Sequence, residues 1–406
     1  MKAVVIGAGV AGAASAIALR RIGAEVTVYE AYPDPAGPVG AFLSLAVNGL
    51  RALESLGCLE AVRAAGFEVD RQRMWSGRGK LLGDVPRGRR ADDPLRSVTL
   101  MRADLVAALR AEAVRLGARI VVGERLHGPG GRLHGPGEGA GPAGGVVDEA
   151  VAGADLVVGA DGLRSTVRRM LDPDAPSPAY AGLYGVAGIA RGVPEAGPGR
   201  TFNMTFGRRG AFAHLPAPDG TVWWSAQIAD PAAPAEIKLG AEELAEVFGF
   251  EAVPRQILGA TERIDAATLF HVLPPVPRRQ DGRCVLVGDA AHPVGAGQGA
   301  SMALEDAIAL ARALHSASAL HSASALHSGS ALHSGSGLPA ALAAFEGERA
   351  GRAGKLARAA AANRDAKTAG PLASLVREAV MPLVFTRMYT RSTDWLYDYR
   401  PGALPQ

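Results

Sequence analysis

The sequence predicts an α/β fold in which a domain of parallel strands and helices is interrupted by an antiparallel sheet and followed by a C-terminal helix. Residues 3–30 predict a strand, a glycine turn, a helix and a second strand, because the apolar run AVVI precedes AGAASAIALRRIG and the alternating run EVTVYE. Residues 176–277 hold short aromatic and β-branched runs separated by proline and glycine, which is typical of an antiparallel sheet. A further strand and helix are predicted at RCVLVGD and SMALEDAIALARAL.

Length and composition indicate a globular protein of two domains. The chain has 406 residues, of which 48% are hydrophobic and 20% charged, and its formal net charge is only +3. Such a small charge predicts no basic face for nucleic acid. The two cysteines, Cys58 and Cys284, form neither a disulfide framework nor a zinc motif. With no leader before MKAVVIGAGVAG and no apolar run long enough for a bilayer, we expect a soluble, cytoplasmic protein without a membrane partner.

The first motif, Gly7-x-Gly9-x-x-Gly12, lies between the first strand and the first helix. Its glycines allow a tight turn and the close approach of a pyrophosphate, to which the helix N-terminus offers free N–H groups. Glu30 ends the second strand, 18 residues after Gly12, where a carboxylate can accept both ribose hydroxyls of an adenosine. This pattern predicts a Rossmann-like dinucleotide site, which leaves FAD and NAD open and disfavours a 2′-phosphate.

Two further motifs follow predicted strands. In GADGLRSTVRR, Asp161 and Gly162 either face the crevice at the carboxyl edge of the sheet or form an Asx turn that caps the next helix. In VLVGDAAHPVGAGQGASMALEDA, Asp289 ends a strand, and a helix begins near Gly299. A helix N-terminus stabilises a nearby anion such as a reduced isoalloxazine by about 0.3–2 kcal/mol. The alternative is one more strand–loop–helix unit with a turn aspartate.

In this order the three motifs resemble those of the single-component (group A) FAD-dependent monooxygenases built like para-hydroxybenzoate hydroxylase. The resembling pattern is GxGxxG…E, then DGxxSxhR, then GDAAH…GQG, spread over residues 3–307, and the DWLYDY tail is also similar. The middle sheet region resembles the family only in its placement. The resemblance implies a Rossmann-like FAD-binding domain with an inserted substrate-binding sheet.

The resemblance also implies which residues bind non-covalent FAD and a nicotinamide nucleotide. The FAD pyrophosphate would be held by Gly7, Gly9, Val10, Ala11 and Gly12, and the adenosine ribose by Glu30. Asp161 and Gly162 would touch FAD, Asp289 would bind its ribityl chain, and the flavin would be contacted by Arg102, Gly299, Ala300 and Ser301. For Arg102 the alternative is a solvated arginine at a helix start. Arg164 and Arg168 would lie near the route of NADPH or NADH. Ser301 replaces the asparagine common in the family, and the 293–297 loop is shorter than usual.

The implied activity is hydroxylation of an aromatic or polyketide-like small molecule. NAD(P)H would reduce FAD, and reduced flavin with O2 would form a C4a-hydroperoxide that transfers the hydroxyl group. A flavoprotein reductase of similar fold and a non-catalytic flavin-binding scaffold are the alternatives. No catalytic acid or base is identified. Candidate pocket residues, for which ordinary core packing is the alternative, are Met204, Phe206, Phe212, His214, Trp224, Gln227, Phe270, His271 and Pro293.

The division into domains follows from this arrangement of motifs. We expect a discontinuous FAD-binding domain formed by residues 1–68, 97–175 and 278–370. Residues 69–96 and 176–277 form the expected substrate-binding sheet domain, and residues 371–406 form a C-terminal helical tail. Low-complexity segments at 127–145 and 313–336 are predicted as flexible insertions. The second contains four ALHSAS-like hexads, and no metal site is expected because its histidines, spaced six apart, share no helical face (His315, His321, His327 and His333).

Overall fold

The computed structural model describes residues 1–33, 42–127, 146–207, 209–237, 240–248, 251–293, 297–328, 337–367 and 371–404. The strands in these ranges are β1 (Lys2–Ile6), β2 (Glu25–Glu30), β3 (Phe42–Leu45), β4 (Phe67–Val69), β5 (Arg71–Ser76), β6 (Leu81–Pro86), β7 (Ser97–Met101), β8 (Arg119–Val122), β9 (Leu156–Gly159), β10 (Ala179–Arg191), β11 (Thr201–Phe206), β12 (Gly210–Pro216), β13 (Thr221–Ala229), β14 (Thr261–Val272) and β15 (Cys284–Leu286). The α-helices are α1 (Val10–Arg21), α2 (Val47–Ser55), α3 (Leu59–Ala65), α4 (Arg102–Arg115), α5 (Val146–Ala152), α6 (Thr166–Leu171), α7 (Ala241–Phe248), α8 (Ala252–Gly259), α9 (Gly299–Ser328), α10 (Gly337–Lys367) and α11 (Pro371–Tyr397).

The parallel part of the fold is a five-stranded sheet with the order β15-β9-β1-β2-β8, in which every neighbouring pair is parallel. Three neighbouring strands, β15, β9 and β1, are nearly continuous apolar runs, as expected for a sheet covered on both faces. Small residues make α1 narrow, and Ala14 and Ala18 are fully buried in the core that α1 shares with α9. The predicted α/β architecture is confirmed, and all five strands end at the same edge.

A second sheet has seven strands in the order β14-β10-β13-β12-β11-β5-β6. Its pairs are antiparallel except for β11 and β5, which run parallel. This parallel pair differs from the purely antiparallel sheet predicted. It arises because β5 and β6 come from an earlier part of the chain than β10–β14 and add to the sheet beside β11.

The two faces of the seven-stranded sheet have different neighbours. The outer face is covered by α7 and α8 through an apolar cluster that includes Phe248 and Ile257. The inner face packs on the antiparallel sheet β3-β7-β4, where the Trp223 ring lies 5.8 Å from Phe42 and 5.1 Å from Phe67. At β6 the same face packs on α11. The inner face therefore points toward the rest of the molecule.

The low-complexity segments are only partly described. Helix α9 continues to Ser328, so residues 313–328 are helical where the repeat predicted a flexible insertion. Alanine and leucine, which make up half of residues 313–328, are strong helix formers, and this local preference prevails without an apolar stripe. Residues 128–145 and 329–336 lie outside the described ranges, and so does His333. No helix within those ranges is both long and apolar enough to cross a bilayer.

Candidate functional site

The first glycine motif forms a tight turn at the carboxyl end of β1. Gly7 has a φ of +97°, and a Cβ on Gly12 would lie 1.8 Å from the Gly7 carbonyl oxygen. Gly9 is the N-cap of α1 and has no side-chain cap, and a Cβ there would meet no atom within 4 Å. Among the described residues, the N–H groups of Val10 and Ala11 in the first turn have no hydrogen-bond partner, and the space beside Gly9 is open. This is the arrangement that binds a pyrophosphate.

Glu30 is tied to the glycine turn. Its Oε2 accepts a hydrogen bond from the Ala8 N–H at 2.8 Å, and its Oε1 accepts one from the Tyr32 N–H at 3.1 Å. The Arg110 Nε donates to the Ala8 carbonyl at 2.7 Å, and an Arg110 nitrogen lies 4.0 Å from Glu30 Oε2. Each carboxylate oxygen has a second lone pair for a ribose hydroxyl. Sequence reasoning missed Arg110, because nothing local links it to a residue 102 positions away.

The side chain of Asp161 caps α6. Its carboxylate accepts from the Ser165 hydroxyl at 2.5 Å and from the backbone N–H groups of Thr166 and Val167 at 2.7 and 3.1 Å. Burial raises the pKa of Asp161, and these hydrogen bonds oppose the shift. The Asp161 side chain therefore caps the next helix, which is the alternative that the sequence left open for it. Gly162, with a φ of +76° and open space at its Cβ position, is the part of the motif that leaves room for a ligand.

The two arginines of the second motif have different environments. Arg168 is 1% exposed, and its guanidinium donates to the carbonyls of Ala290 at 3.0 Å and Leu163 at 2.6 Å. Its donors thus connect the second motif to the third inside the protein, which corrects the prediction that it lies on the route of the nicotinamide nucleotide. Arg164 is exposed and remains a candidate for that role.

The third motif places Asp289 in a 3₁₀ turn, Gly288–Ala290, directly after β15. The Asp289 side chain reaches the surface of the molecule. Desolvation raises the pKa of its carboxyl, and the charges of His292 and Arg102 oppose that shift. The structure thus brings Asp289 close to Arg102, the first residue of α4, as a common flavin site requires.

A buried network of charged side chains stabilises this turn from the interior of the protein. Asp306 is fully buried and accepts from the Gly288 N–H at 2.9 Å, from His292 Nε2 at 2.7 Å and from Arg349 Nε at 2.7 Å. Burial alone would raise the pKa of Asp306, but the charges of His292 and Arg349 hold it well below its usual range. Sequence reasoning missed this network, because Asp306 on α9 and Arg349 on α10 meet the turn only in the folded protein.

The first turn of α9 is only partly available to a flavin. Gly299 and Ala300 are partly exposed, whereas Ser301 is 1% exposed and faces α2. A Cβ on Gly49 would lie 2.5 Å from the Ser301 hydroxyl oxygen. The prediction of a flavin contact is thus corrected for the Ser301 hydroxyl. Residues 294–296 of the adjoining loop lie outside the described part, and Pro293 before them is partly buried.

Three of the candidate pocket residues belong to the outer face of the seven-stranded sheet. Phe212 and Trp224 are fully buried and stack with ring centroids 5.5 Å apart, and Phe212 also contacts Phe248. His214 Nε2 lies 3.1 Å from the Ala196 carbonyl, and burial lowers the pKa of His214 to about 4. These residues pack beneath α7 and α8, so the pocket prediction is corrected for all three.

Strand alternation places four other candidates on the inner face. Met204 and Phe206 pair with small residues of β12 and contact the apolar cluster of α11. Gln227 lies opposite Gly185, and a Cβ on Gly185 would come within 2.9 Å of the Phe270 ring. These four remain candidates because their face points toward the parallel sheet. His271 is partly buried, with Nδ1 3.1 Å from the Leu269 carbonyl, which gives it no specific role.

The chain is similar in sequence and fold to known proteins. Residues 1–328 match the family described as FAD binding domain. Aurachin C monooxygenase/isomerase of Stigmatella aurantiaca is 32% identical over 325 residues, which cover 76% of this chain and 79% of that protein. 3-Amino-4-hydroxybenzoate 2-monooxygenase of Streptomyces cremeus is 34% identical over 328 residues, with 75% and 76% covered. A salicylate hydroxylase substrate complex shares the fold with a TM-score of 0.75, 22% identity, and coverage of 99% and 96%.

The chain therefore belongs to the FAD binding domain family, within the group A FAD-dependent monooxygenases related to para-hydroxybenzoate hydroxylase. It is an enzyme of this class, and FAD is its cofactor. The N-terminus of α1, the Glu30 carboxylate, Asp289 and Arg102 supply donors and acceptors of the kind that FAD needs.

Glu30→Ala is expected to raise the dissociation constant for FAD about 10- to 100-fold, because it removes the ribose acceptor and the acceptor of the Ala8 N–H. Glu30→Gln keeps one acceptor oxygen and should lose less. Fluorescence titration of FAD into the apoprotein measures both variants. Glu25→Ala, at the exposed start of the same strand, is the matched control. Unchanged FAD affinity in Glu30→Ala would contradict the assignment of this carboxylate.

Proposed function

We propose that this enzyme hydroxylates an aromatic small molecule with O2 and with NADPH or NADH as the reductant. The observation that carries the proposal is the convergence of the glycine turn, Glu30, Asp289 and Arg102 at one edge of the parallel sheet. Two relatives, the 3-amino-4-hydroxybenzoate 2-monooxygenase and a 3-hydroxybenzoate 6-hydroxylase, have aromatic acids in their names. They support an aromatic substrate here.

When bound, FAD supplies the redox chemistry: it accepts a hydride and activates O2 for transfer to a substrate. The residues of this chain bind and orient. The first turn of α1 would hold the pyrophosphate, Glu30 would hold the ribose, and Asp289 with Arg102 would orient the flavin end. Met204, Phe206, Gln227 and Phe270 line the inner sheet face, and mostly apolar groups there would exclude water from the reacting centre.

We also propose a division of labour between the sheets. The five-stranded sheet with its helices, from 1–68, 97–175 and 278–370, acts as the FAD-binding domain. The seven-stranded sheet, from 69–96 and 176–277, acts as the substrate-binding domain. Exposed Arg164, in the second motif, is a candidate for contact with the nicotinamide nucleotide.

Anaerobic titration of the FAD-loaded enzyme with NADPH, and separately with NADH, tests the proposal through the flavin absorbance. We expect flavin to bleach, faster in the presence of an aromatic substrate, and oxygen from labelled O2 to enter the product on re-aeration. Protein that folds without binding FAD would contradict the whole assignment. Flavin that bleaches and then reduces a carbon–carbon double bond without oxygen insertion would identify a reductase, and flavin that no nucleotide reduces with any aromatic present would identify a scaffold.

A further inference from the structure

Arg87 follows β6 and packs against the inner face of the seven-stranded sheet. Its guanidinium carbon lies 3.8 Å from the centroid of the Phe202 ring, and one nitrogen donates a hydrogen bond to the side-chain oxygen of Gln72. Gln72 is 4% exposed and Phe202 is 6% exposed, so this side of Arg87 is enclosed by protein. The guanidinium is thus held in a fixed plane by a ring and an amide.

Arg87 differs from nearby arginines in its lack of an acidic partner. Arg71 and Arg73 both pair with Asp84, and Arg96 pairs with Asp70. Within the described ranges no carboxylate forms an ion pair with Arg87, and its Nε and second terminal nitrogen donate to no protein group. Desolvation lowers the pKa of Arg87 and the nearby tyrosines oppose the shift. A desolvated cation without a counter-ion is costly, unless a ligand supplies the negative charge.

The groups that face Arg87 are two tyrosines of α11. The hydroxyls of Tyr389 and Tyr397 are 3.0 Å apart, and Tyr397 is 4% exposed. Burial raises the pKa of Tyr397 well above its usual value, and the positive charge of Arg87 opposes that shift. The Tyr397 phenol is therefore neutral near pH 7. The two tyrosines add hydrogen-bonding groups beside the cation, and Tyr397 adds no compensating negative charge.

A short chain of contacts connects Arg87 to the start of α9. Gly88, the next residue, accepts a hydrogen bond at its carbonyl from the Val47 N–H at 3.0 Å. Val47 packs in one apolar cluster with Tyr397 and with Met302, which lies in the first turns of α9. Arg87 therefore lies between the helix that begins at Gly299 and the inner sheet face. An aromatic substrate that meets a flavin at the first turn of α9 would occupy this space.

We propose that Arg87 is a specificity-determining residue that binds the carboxylate of an aromatic acid substrate, with Gln72 and the Tyr389–Tyr397 pair around it. This inference rests on the proposed function. A guanidinium offers a planar fork of donors that matches a carboxylate, which a neutral amide or phenol cannot exploit to the same degree. The aromatic ring of the acid would extend from Arg87 along the apolar inner face past Met204.

The test compares acids with their neutral amides on the FAD-loaded enzyme. The probes are salicylate against salicylamide and 3-hydroxybenzoate against 3-hydroxybenzamide, and the readout is the dissociation constant from the shift in flavin absorbance. We expect at least one acid to bind about tenfold or more tightly than its amide. Arg87→Met should weaken acid binding about 10- to 100-fold and leave amide binding within about threefold, because only the charge and its hydrogen bonds are lost.

Arg73→Met is the matched control, since Arg73 lies on the neighbouring strand and is paired with Asp84. Arg73→Met should change neither the dissociation constant of the acid nor that of the amide. Arg87→Lys should retain part of the preference for the acid that Arg87→Met loses. Three results would each overturn the assignment. The unaltered enzyme could bind acids and amides equally well, it could bind no acid at all, or Arg87→Met could weaken the binding of acids and of amides to the same extent. Flavin content and reduction by NAD(P)H are recorded first. If they are normal and acids are not preferred, the assignment of Arg87 fails while the proposed function stands.

Discussion

Alanine in place of Gly12 is expected to abolish FAD binding in practice, with a dissociation constant raised at least about 100-fold. The added Cβ would lie 1.8 Å from the Gly7 carbonyl oxygen and 3.3 Å from a methyl group of Val5. The first of these atoms belongs to the backbone, so no side-chain rotation relieves the overlap. Helix α1 must move away from β1, which carries its first-turn N–H groups away from the pyrophosphate. We also expect the apoprotein to lose about 1–3 kcal/mol of unfolding free energy from overpacking.

Gly9→Ala separates crowding of the cofactor from damage to the turn. Gly9 has a φ of −73°, and its Cβ position meets no atom within 4 Å. The apoprotein of this variant should therefore unfold at the same urea concentration as the unaltered protein, whatever happens to FAD affinity. FAD titration and urea unfolding of both variants make the comparison. Unaltered stability and FAD affinity in Gly12→Ala would show that α1 and β1 do not approach as closely as described.

Asp306→Asn is expected to lower the free energy of unfolding by about 3–5 kcal/mol, because it removes the carboxylate that pairs with His292 and one of the two carboxylates that pair with buried Arg349, the other being Glu305. The loss should depend on pH. Despite burial, the charge of Asp306 raises the pKa of His292 in the folded protein. The stabilisation that comes from the charged His292–Asp306 pair is therefore complete below about pH 6.5, and it disappears as the pH rises through the pKa of His292 in the folded protein. The folded pKa of Asp306 is lowered, so its own contribution is present above about pH 3.9 and disappears in acid.

The difference between the two proteins should therefore be largest in mildly acidic solution, near pH 5.5, and smaller near pH 9. Urea unfolding of the apoprotein at both values measures it. Asp174→Asn, at an exposed position, is the control for loss of one carboxylate charge. A destabilisation of Asp306→Asn that did not vary with pH would mean that His292 is not charged in the folded protein.

Much of the cofactor site could be predicted from sequence because it is built within single strand–turn–helix units. The turn from Gly7 to Gly12 and the position of Glu30 at the end of β2 depend on contacts within the first 32 residues. Asp289 lies one turn after its strand for the same reason. Where a motif residue can also serve the local structure, the sequence could not decide between cofactor binding and helix capping. Asp161 is such a residue, because its side chain caps α6 by hydrogen bonds to residues four to six positions ahead.

The sequence by itself determined the α/β class, the parallel sheet and the FAD-binding family, since their signals lie in short motifs and local periodicity. The tertiary structure decided which side chains face the site. Alternation along β12 and β13 sends Phe212 and Trp224 to the outer face and Gln227 to the inner one, but only sheet packing determines which face points toward the cofactor. Likewise, Arg110 meets Ala8 and Arg349 meets Asp306 across long chain separations. Such pairs depend on how helices and sheets pack, which no local pattern encodes.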